Sequence, residues 1–265
     1  MDLLTPSPTA IVPAAFLVWV TLVAGFTVLW LVSLPLKNAS IVDMWWGPAF
    51  VLASLVYAAP RETIGRRGWA VIAVVALWAL RLAWHIGRRN VGQGEDPRYA
   101  AWRTQHGDSW WWFSWVKVFL LQATVAWIVS WPIGAALAAA TAFPTPWDVA
   151  GLSIALGGLA VEAIADEQLR RFKRTAARGQ VCDVGLWRYS RHPNYFGESV
   201  VWWGLFIVAA GAGAWATVVS PVVMTWLLLR VSGVTLLEQS LAHSKPGYAE
   251  YARRTSAFVP WPPRA

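Results

Sequence analysis

The chain contains 265 residues, of which 57% are hydrophobic and only 14% are charged. Soluble domains are about 45–50% apolar and about 25% charged, so this composition excludes an ordinary soluble domain, a disordered chain and a coiled coil. The one cysteine, Cys182, excludes an intrachain disulfide and a thiolate metal cluster, and no metal site is predicted.

Apolar stretches long enough to cross a bilayer, about 20 residues each, follow one another along the chain. They predict an all-α integral membrane protein with seven transmembrane helices, near residues 11–34, 41–59, 69–87, 111–142, 147–165, 195–210 and 214–237. The fourth stretch contains Pro132 and Gly134, so a kink or a break is expected there. We expect residues 1–265 to form a single transmembrane domain whose tail, residues 238–265, packs on the functional site.

The basic residues divide unequally between the two predicted sides of the membrane. Only Arg61, Arg66 and Arg67 lie in loops on the N-terminal side, and most of the 22 Lys and Arg residues lie on the other side. The positive-inside rule therefore predicts a cytoplasmic C-terminus and an N-terminus outside. This asymmetry accounts for the net charge of +8, so the predicted partner is the lipid bilayer and not nucleic acid.

Ionisable side chains interrupt five predicted spans toward the cytoplasmic side. An ionised group at the bilayer centre costs about 2.5–3.5 kcal/mol, so such groups normally face the interior of a helix bundle. The segments are Asp43; Arg81, His85 and Arg88–Tyr99; Glu162, Asp166, Arg170 and Lys173–Arg174; Arg188–Glu198; and Arg230, Glu238, Tyr248 and Tyr251. We predict that these segments converge on one cavity.

Each polar group also has an ordinary interpretation. Arg88–Arg89 and Arg170–Arg174 could anchor helices at the cytoplasmic surface, and Asp43 could cap the second helix. Glu95 and Asp96 could offset nearby arginines, and His85 could be a hydrogen-bonded interior residue. None of these interpretations explains why acids, bases, amides and phenols from five spans would collect on one side.

Pro193 predicts the start of the sixth helix, because its missing N–H costs nothing in a first turn. Asn194 and Tyr195 then lie in that turn, and Asn194 shares a helix face with Glu198. A helix N-terminus favours phosphate, and arginines of the preceding loop would add forked donors for a pyrophosphate. Because the chain has no glycine-rich dinucleotide fingerprint, a nucleotide would have to bind between helices.

The segment Gly185–Glu198, which reads GLWRYSRHPNYFGE, resembles the C-terminal signature of the membrane steroid 5-alpha-reductase and sterol reductase family. It is most similar to a bacterial branch catalogued mainly as a domain of unknown function. Further matching motifs run from residue 40 to the C-terminus: Asp43-x-x-Trp46-Gly47, Arg81-Leu-x-x-His85, Gly94-Glu-Asp-x-Arg-Tyr99, Asp166-x-Gln168, Val231-Ser-Gly-Val234 with Glu238, and Tyr251 nine residues before Pro260.

The resemblance implies a seven-helix fold that holds NADPH in a cytoplasmic-side cavity, with a lipid or steroid substrate entering from the bilayer. The residues that it assigns to the cofactor are Asn90, Asp166, Arg170, Asn194, Glu198 and Tyr251. The same segments add Lys173, Arg188, Arg191 and His192 to the predicted cofactor set. One departure concerns the substrate: the steroid enzymes carry a Gln-Glu pair in the second helix, where this chain has Asp43-Met-Trp-Trp-Gly-Pro48, and their third-helix tyrosine is replaced by tryptophan near Trp78.

The leading hypothesis is that NADPH reduces a conjugated C=C bond of a lipid enone while a protein group polarises the carbonyl oxygen. The predicted donors are His85, Asp43 and Tyr195. The alternative is a lipid methyltransferase that uses S-adenosylmethionine, since membrane methyltransferases carry a similar Arg-His-Pro-x-Tyr segment. Asn194 with Gly197-Glu198 and the basic residues of 166–194 favour the reductase. A non-catalytic lipid-binding protein or transporter ranks third, because no inverted repeat is visible.

Overall fold

The computed structural model describes residues 8–90, 92–177, 179–231, 234, 238, 241 and 245–264. Every regular element in these ranges is helical, and one isolated bridge pairs Ser190 with Ser256. The helices are α1 Pro8–Leu36, α2 Ile41–Ala58, α3 Arg66–Asn90, α4 Pro97–His106, α5 Trp110–Ser114, α6 Leu121–Val129, α7 Trp131–Ala138, α8 Pro146–Thr175, α9 Pro193–Gly211, α10 Val219–Trp226 and α11 Tyr248–Arg254. π-Helical turns at Trp115–Leu120 and Leu227–Val231 follow α5 and α10.

Within the described ranges, five helical segments are long and apolar enough to cross a membrane: Ala14–Leu36, Ile41–Ala58, Arg66–Asn90, Pro97–Ala138 and Pro146–Thr175. They confirm the all-helical architecture and indicate an integral membrane protein. The predicted break in the fourth span lies at Ser130, between α6 and α7.

The two last predicted spans are also helical but less apolar or shorter. Helix α9 opens with Asn194, Tyr195 and Glu198, which lower the apolar character of its first two turns. The helical stretch Trp215–Val231 is apolar but shorter than a full span. Most of residues 232–237, which end the predicted seventh span, lie outside the described residues, so the count of seven stays a prediction.

The chain divides into two compact units. The first comprises residues up to Asp148 together with Ala209–Thr217, and the second comprises Val149–Val208 together with Val218 onward. In the first unit, α2 and α3 approach closely at Gly47, where a Cβ atom would lie 2.7 Å from the carbonyl oxygen of Ala79. Only a glycine therefore permits this contact.

In the second unit, α8 and α9 meet along glycines spaced seven apart on each helix. These are Gly151 and Gly158 on α8 and Gly197 and Gly204 on α9. A Cβ atom on Gly158 would lie 2.7 Å from the carbonyl oxygen of Gly197, and one on Gly204 would lie 2.5 Å from the amide nitrogen of Ala155. The two backbones are therefore in direct contact, which brings the polar residues at this end of α8 and α9 together.

Candidate functional site

The second unit contains a buried amide–carboxylate pair where α8 and α9 pack. Asn194 Nδ2 donates to Asp166 Oδ1 at 3.1 Å, and Asp166 is 7% exposed. The Asn194 Oδ1 atom is also buried, and it has no hydrogen-bond partner among the described residues. A buried acceptor without a partner costs free energy, so this atom is a candidate acceptor for a hydrogen bond from a ligand.

Two further carboxylates lie along the same helix contact. Glu162, one turn before Asp166, is 3% exposed, and Glu198, one turn after Asn194, is 7% exposed. The close approach at Gly197 places that residue within van der Waals contact of Glu162, because its Cβ position would lie 2.9 Å from the Glu162 Cβ. The contact between α8 and α9 is therefore lined with acidic and amide groups.

The loop before α9 is held against α8 by side-chain hydrogen bonds. Trp187 Nε1 donates to the carbonyl oxygen of Ala165 at 2.9 Å, and Gln168 Oε1 accepts from the amide of Leu186 at 2.9 Å. Gly185 starts this loop with φ +59°, a left-handed conformation that favours glycine. A Cβ atom there would also meet the amide group of Gln168 and displace the side chain that binds Leu186, so the turn favours glycine and a larger residue would disturb this contact.

Arg191 and His192 of the signature are bound to an acid near the C-terminus. Arg191 donates to both carboxylate oxygens of Glu238, from Nε at 2.7 Å and from Nη2 at 3.1 Å. His192 Nε2 lies 3.3 Å from Glu238 Oε1. Burial alone would raise the pKa of Glu238, but the hydrogen bonds from His192 and Arg191 outweigh it and hold the pKa below its usual range. Arg191 also donates to the carbonyl oxygens of Ala252 and Thr255, so its guanidinium connects the signature to the tail.

The tail lies beside the signature loop, residues 185–192, and is hydrogen-bonded to it. Tyr251 Oη donates to the carbonyl oxygen of Trp187 at 2.5 Å, and burial raises the pKa of this hydroxyl. Ser190 Oγ donates to the carbonyl oxygen of Phe258 at 2.7 Å. These contacts account for the buried position of Tyr251, whereas its predicted role at the cofactor stays a prediction.

A cleft of about 400 Å³ opens between the signature loop and the tail. It is lined by Asp183, Arg188, Arg254, Thr255, Pro263 and Arg264. The lining carries three guanidinium groups and one carboxylate, so the cleft is basic.

Four other predicted site residues of the second unit lie outside the amide–carboxylate pair. Three of them are at the surface. Arg170 pairs with Glu167 at 2.6 Å on the surface of α8, and Lys173 is exposed. Arg188 is exposed as well, at the edge of the basic cleft. The ring of Tyr195 stacks on that of His192, with ring centroids 5.6 Å apart.

The first unit contains its own polar cluster, at the start of α2. Tyr99 Oη donates to Asp43 Oδ1 at 2.9 Å, and Arg98 Nη2 lies 3.6 Å from Asp43 Oδ2. Gln122 Nε2 is 3.5 Å from the Tyr99 hydroxyl. Sequence reasoning did not connect Tyr99 with Asp43, although Tyr99 ends the Gly94–Tyr99 motif.

The ordinary interpretation is confirmed for the two acids of that motif. Glu95 accepts from Arg103 at 2.7 Å, and Asp96 accepts from Arg98 at 2.9 Å. His85 is half-buried on α3, and Asn90 is the last residue of α3 and accepts from Arg89 Nε at 2.9 Å. Asp43, His85 and Asn90 thus belong to the first unit, and the other predicted site residues belong to the second. A single cavity that joins the two groups stays a prediction.

Comparison with known proteins gives a family but not a reaction. Residues 29–255 match the family described as "Protein of unknown function (DUF1295)". The chain belongs to this family. A relative from Schizosaccharomyces pombe, "Uncharacterized protein C594.04c", is 29% identical over 266 residues, which cover 88% of this chain and 76% of the relative. No solved structure matches the chain. The matched range includes Asp166 and the whole signature, whereas Arg264 of the basic cleft lies beyond it.

Proposed function

We propose that the chain is a membrane reductase that uses NADPH to reduce a conjugated carbon–carbon double bond in a lipid or steroid. The observation that carries this proposal is the Asn194–Asp166 pair, in which Asn194 Oδ1 is buried and has no hydrogen-bond partner among the described residues. Nicotinamide and adenine both carry N–H donors that such an acceptor can bind. The resemblance assigns the same two residues to the cofactor, which supports the proposal independently of the geometry.

The chain has residues suited to the rings and sugars of a dinucleotide and others suited to its phosphates. Asp166, Asn194 and Glu198 would bind the N–H groups of its rings and the hydroxyl groups of its sugars, and Arg188 would bind phosphate. When bound, NADPH would supply a hydride to the β-carbon of an enone.

The protein's own contribution to the reaction would be a donor held at the substrate's carbonyl oxygen. In a water-poor site such a donor can contribute several kcal/mol of transition-state stabilisation. His85, Asp43 and Tyr195 stay the candidates. Asp43 accepts a hydrogen bond from Tyr99, so at that contact the proton lies on the phenol.

A lipid substrate fits a chain whose apolar helices can span a bilayer. The cofactor would come from the cytosol, because most basic residues are predicted on the same side as the C-terminus. An N-terminus outside and a cytoplasmic C-terminus are therefore parts of this proposal.

The second candidate is a lipid methyltransferase that uses S-adenosylmethionine. The observation that favours it is the row of buried carboxylates Glu162, Asp166 and Glu198, which suits a cationic sulfonium group better than a phosphate. The basic cleft favours the reductase, because S-adenosylmethionine carries no phosphate.

Binding measurements separate the two functions. We expect the purified full-length chain, in detergent or nanodiscs, to bind NADPH by calorimetry and to be stabilised thermally by it. A ligand at 100 times its dissociation constant adds about 2.7 kcal/mol to the free energy of unfolding. We also expect loss of NADPH absorbance when an enone lipid, such as a 3-oxo-4-ene steroid, is added. Binding of S-adenosylmethionine without NADPH would replace the proposal with the methyltransferase, and binding of neither cofactor would refute both.

Substitutions of Asn194, from the amide–carboxylate pair, and of Glu198, one turn further along α9, test the site. Asn194→Ala and Glu198→Ala should each weaken NADPH affinity by roughly tenfold or more, since a polar group left without its partner costs about 1–3 kcal/mol, and lipid binding should be retained. Asp108→Asn changes an exposed carboxylate of the first unit and serves as the control. Equal loss of cofactor and lipid binding would instead assign Asn194 and Glu198 a structural role.

A further inference from the structure

The basic cleft is assembled by backbone hydrogen bonds between the signature loop and the tail. Arg191 N donates to the carbonyl oxygen of Ser256 at 2.8 Å, and Trp261 N donates to that of Tyr189 at 2.9 Å. Arg264 N donates to the carbonyl oxygen of Arg254 at 2.9 Å. The last bond joins the two ends of the loop 254–264, so the two arginines at these ends lie beside each other. Arg188 lines the same cleft.

The positive charges of this cleft are poorly compensated by the protein. Arg254 forms two long ion pairs, with Asp183 at 3.9 Å and with Glu250 at 3.7 Å, and Glu250 also binds Arg253. In the part of the chain that the structure describes, the guanidinium groups of Arg188 and Arg264 have no acidic partner within 4.0 Å. By contrast, Arg191, Arg253 and Arg170 each bind a carboxylate directly. Arg188 and Arg264 are therefore available to a ligand, and Arg254 has only long ion pairs to exchange for one.

The charge of the lining residues indicates which kind of ligand the cleft can bind. Three guanidinium groups against one carboxylate give the cleft a formal charge of +2, which matches a phosphomonoester, whose charge at neutral pH is about −1.5 to −2. Guanidinium groups bind phosphate oxygens through paired N–H donors. Because backbone hydrogen bonds already hold Arg254 and Arg264 together, less ordering is required when an anion binds.

We infer that this cleft binds a phosphomonoester, and that Arg254 and Arg264 make the protein select the phosphorylated nicotinamide dinucleotide over the unphosphorylated one. This inference rests on the proposed function, because it treats the 2′-phosphate on the adenosine ribose of NADPH as the group that enters the cleft. It assigns to the tail a role in cofactor choice, separate from the amide–carboxylate pair on α8 and α9.

The test compares NADPH and NADH affinities, measured by calorimetry on the full-length protein in nanodiscs. In the natural chain NADPH should bind more tightly. In the Arg254→Gln/Arg264→Gln double variant, NADPH affinity should fall about ten- to a hundredfold, the range expected for hydrogen bonds to charged groups. NADH affinity should change by less than about twofold, because the groups shared by the two dinucleotides would bind elsewhere.

Arg253→Gln is the matched control. Arg253 adjoins Arg254 in the chain and is 77% exposed, but its guanidinium binds Glu250 and does not line the cleft. This variant removes the same charge from the tail, and the ratio of the two affinities should stay as in the natural chain. A thermal unfolding curve for each variant identifies any loss of folding. The single variant Arg264→Gln keeps its backbone bond to Arg254 and provides a milder second test.

The outcomes distinguish failure of this inference from failure of the proposed function. If NADPH binds but the double variant leaves the NADPH/NADH ratio unchanged, or weakens both dinucleotides equally, the inference is overturned while the reductase proposal stands. If neither dinucleotide binds the natural chain, the proposed function fails and the inference fails with it. A preference that disappears only in the cleft variants supports the inference whether or not an enone substrate has been found.

Discussion

Arg67 and Asp148 form an ion pair that is almost completely removed from solvent, with side-chain exposures of 3% and 1%. Arg67 donates from Nε and Nη2 to the two carboxylate oxygens, at 2.7 and 2.8 Å. Its remaining donors bind Thr141 and the carbonyl oxygen of Ala142. Every polar atom of the pair is thus occupied, and α3 is tied to the residues that precede and begin α8.

Removal of one member of this pair should destabilise the first unit strongly. We expect Arg67→Gln to lower the free energy of unfolding by about 3–5 kcal/mol, because it leaves the buried charge of Asp148 without its partner. The double variant Arg67→Met/Asp148→Leu should recover much of that loss, since it buries no charge. Chemical denaturation in detergent measures both.

Arg171→Gln serves as the control for the buried pair. Arg171 pairs with Glu167 on the surface of α8 and is 76% exposed, so its substitution should cost at most about 1 kcal/mol. Equal losses for the exposed and the buried arginine would contradict the role assigned to Arg67.

At the scale of helices, the glycine-lined contact between α8 and α9 determines where the polar groups of the second unit lie. Gly158 has backbone atoms of α9 at 2.7 Å from its Cβ position, whereas the adjacent Gly157 faces open space. Gly158→Ala should therefore destabilise the protein by about 1–3 kcal/mol through overpacking. Gly157→Ala should be neutral or stabilising by up to about 1 kcal/mol, because alanine favours a helix interior.

These two glycine variants also test how the site is positioned. Spreading α8 from α9 separates Asp166 from Asn194, so Gly158→Ala should weaken NADPH binding and Gly157→Ala should not. Thermal unfolding and calorimetry on the same two samples provide both measurements. Full cofactor affinity in a destabilised Gly158→Ala protein would show that the helix contact does not position the site.

The connection between the tail and α9 should depend on pH through Glu238. The pKa of this carboxyl is lower in the folded chain than its ordinary value, so the stabilisation is present above the ordinary carboxyl range and is lost as the pH falls through the lowered pKa. We expect the amide of Trp261, which is bound to Tyr189, to lose protection against hydrogen exchange below the lowered pKa, relative to the intrinsic exchange rate at the same pH.

In the variant Glu238→Gln, the amide of Trp261 should already be less protected against exchange at neutral pH than in the natural chain. Exchange measured by mass spectrometry on the tail peptide checks both conditions. Slow exchange in the variant at neutral pH would mean that Glu238 does not hold the tail.

At the scale of the whole molecule, the positions of the helices were more predictable from the sequence than the side-chain contacts between distant residues. Hydropathy identified the apolar helices, and Pro193 marked the start of α9, because both signals are local. The ion pair between Arg67 and Asp148 joins residues 81 positions apart; the sequence placed Arg67 in an outer loop, and the structure buries it on α3. The hydrogen bond from Tyr99 to Asp43 and the binding of Arg191 to Glu238 likewise depend on tertiary contacts that no local spacing reports.

The boundary of the family match at residue 255 falls inside the basic cleft, whose outer arginine is Arg264. The buried amide–carboxylate pair lies within the matched range, whereas Pro263 and Arg264 at the outer wall of the cleft lie beyond it. If the cleft selects the cofactor as inferred, sequence changes confined to residues 256–265 would alter which nucleotide the protein prefers and leave the pair on α8 and α9 unchanged.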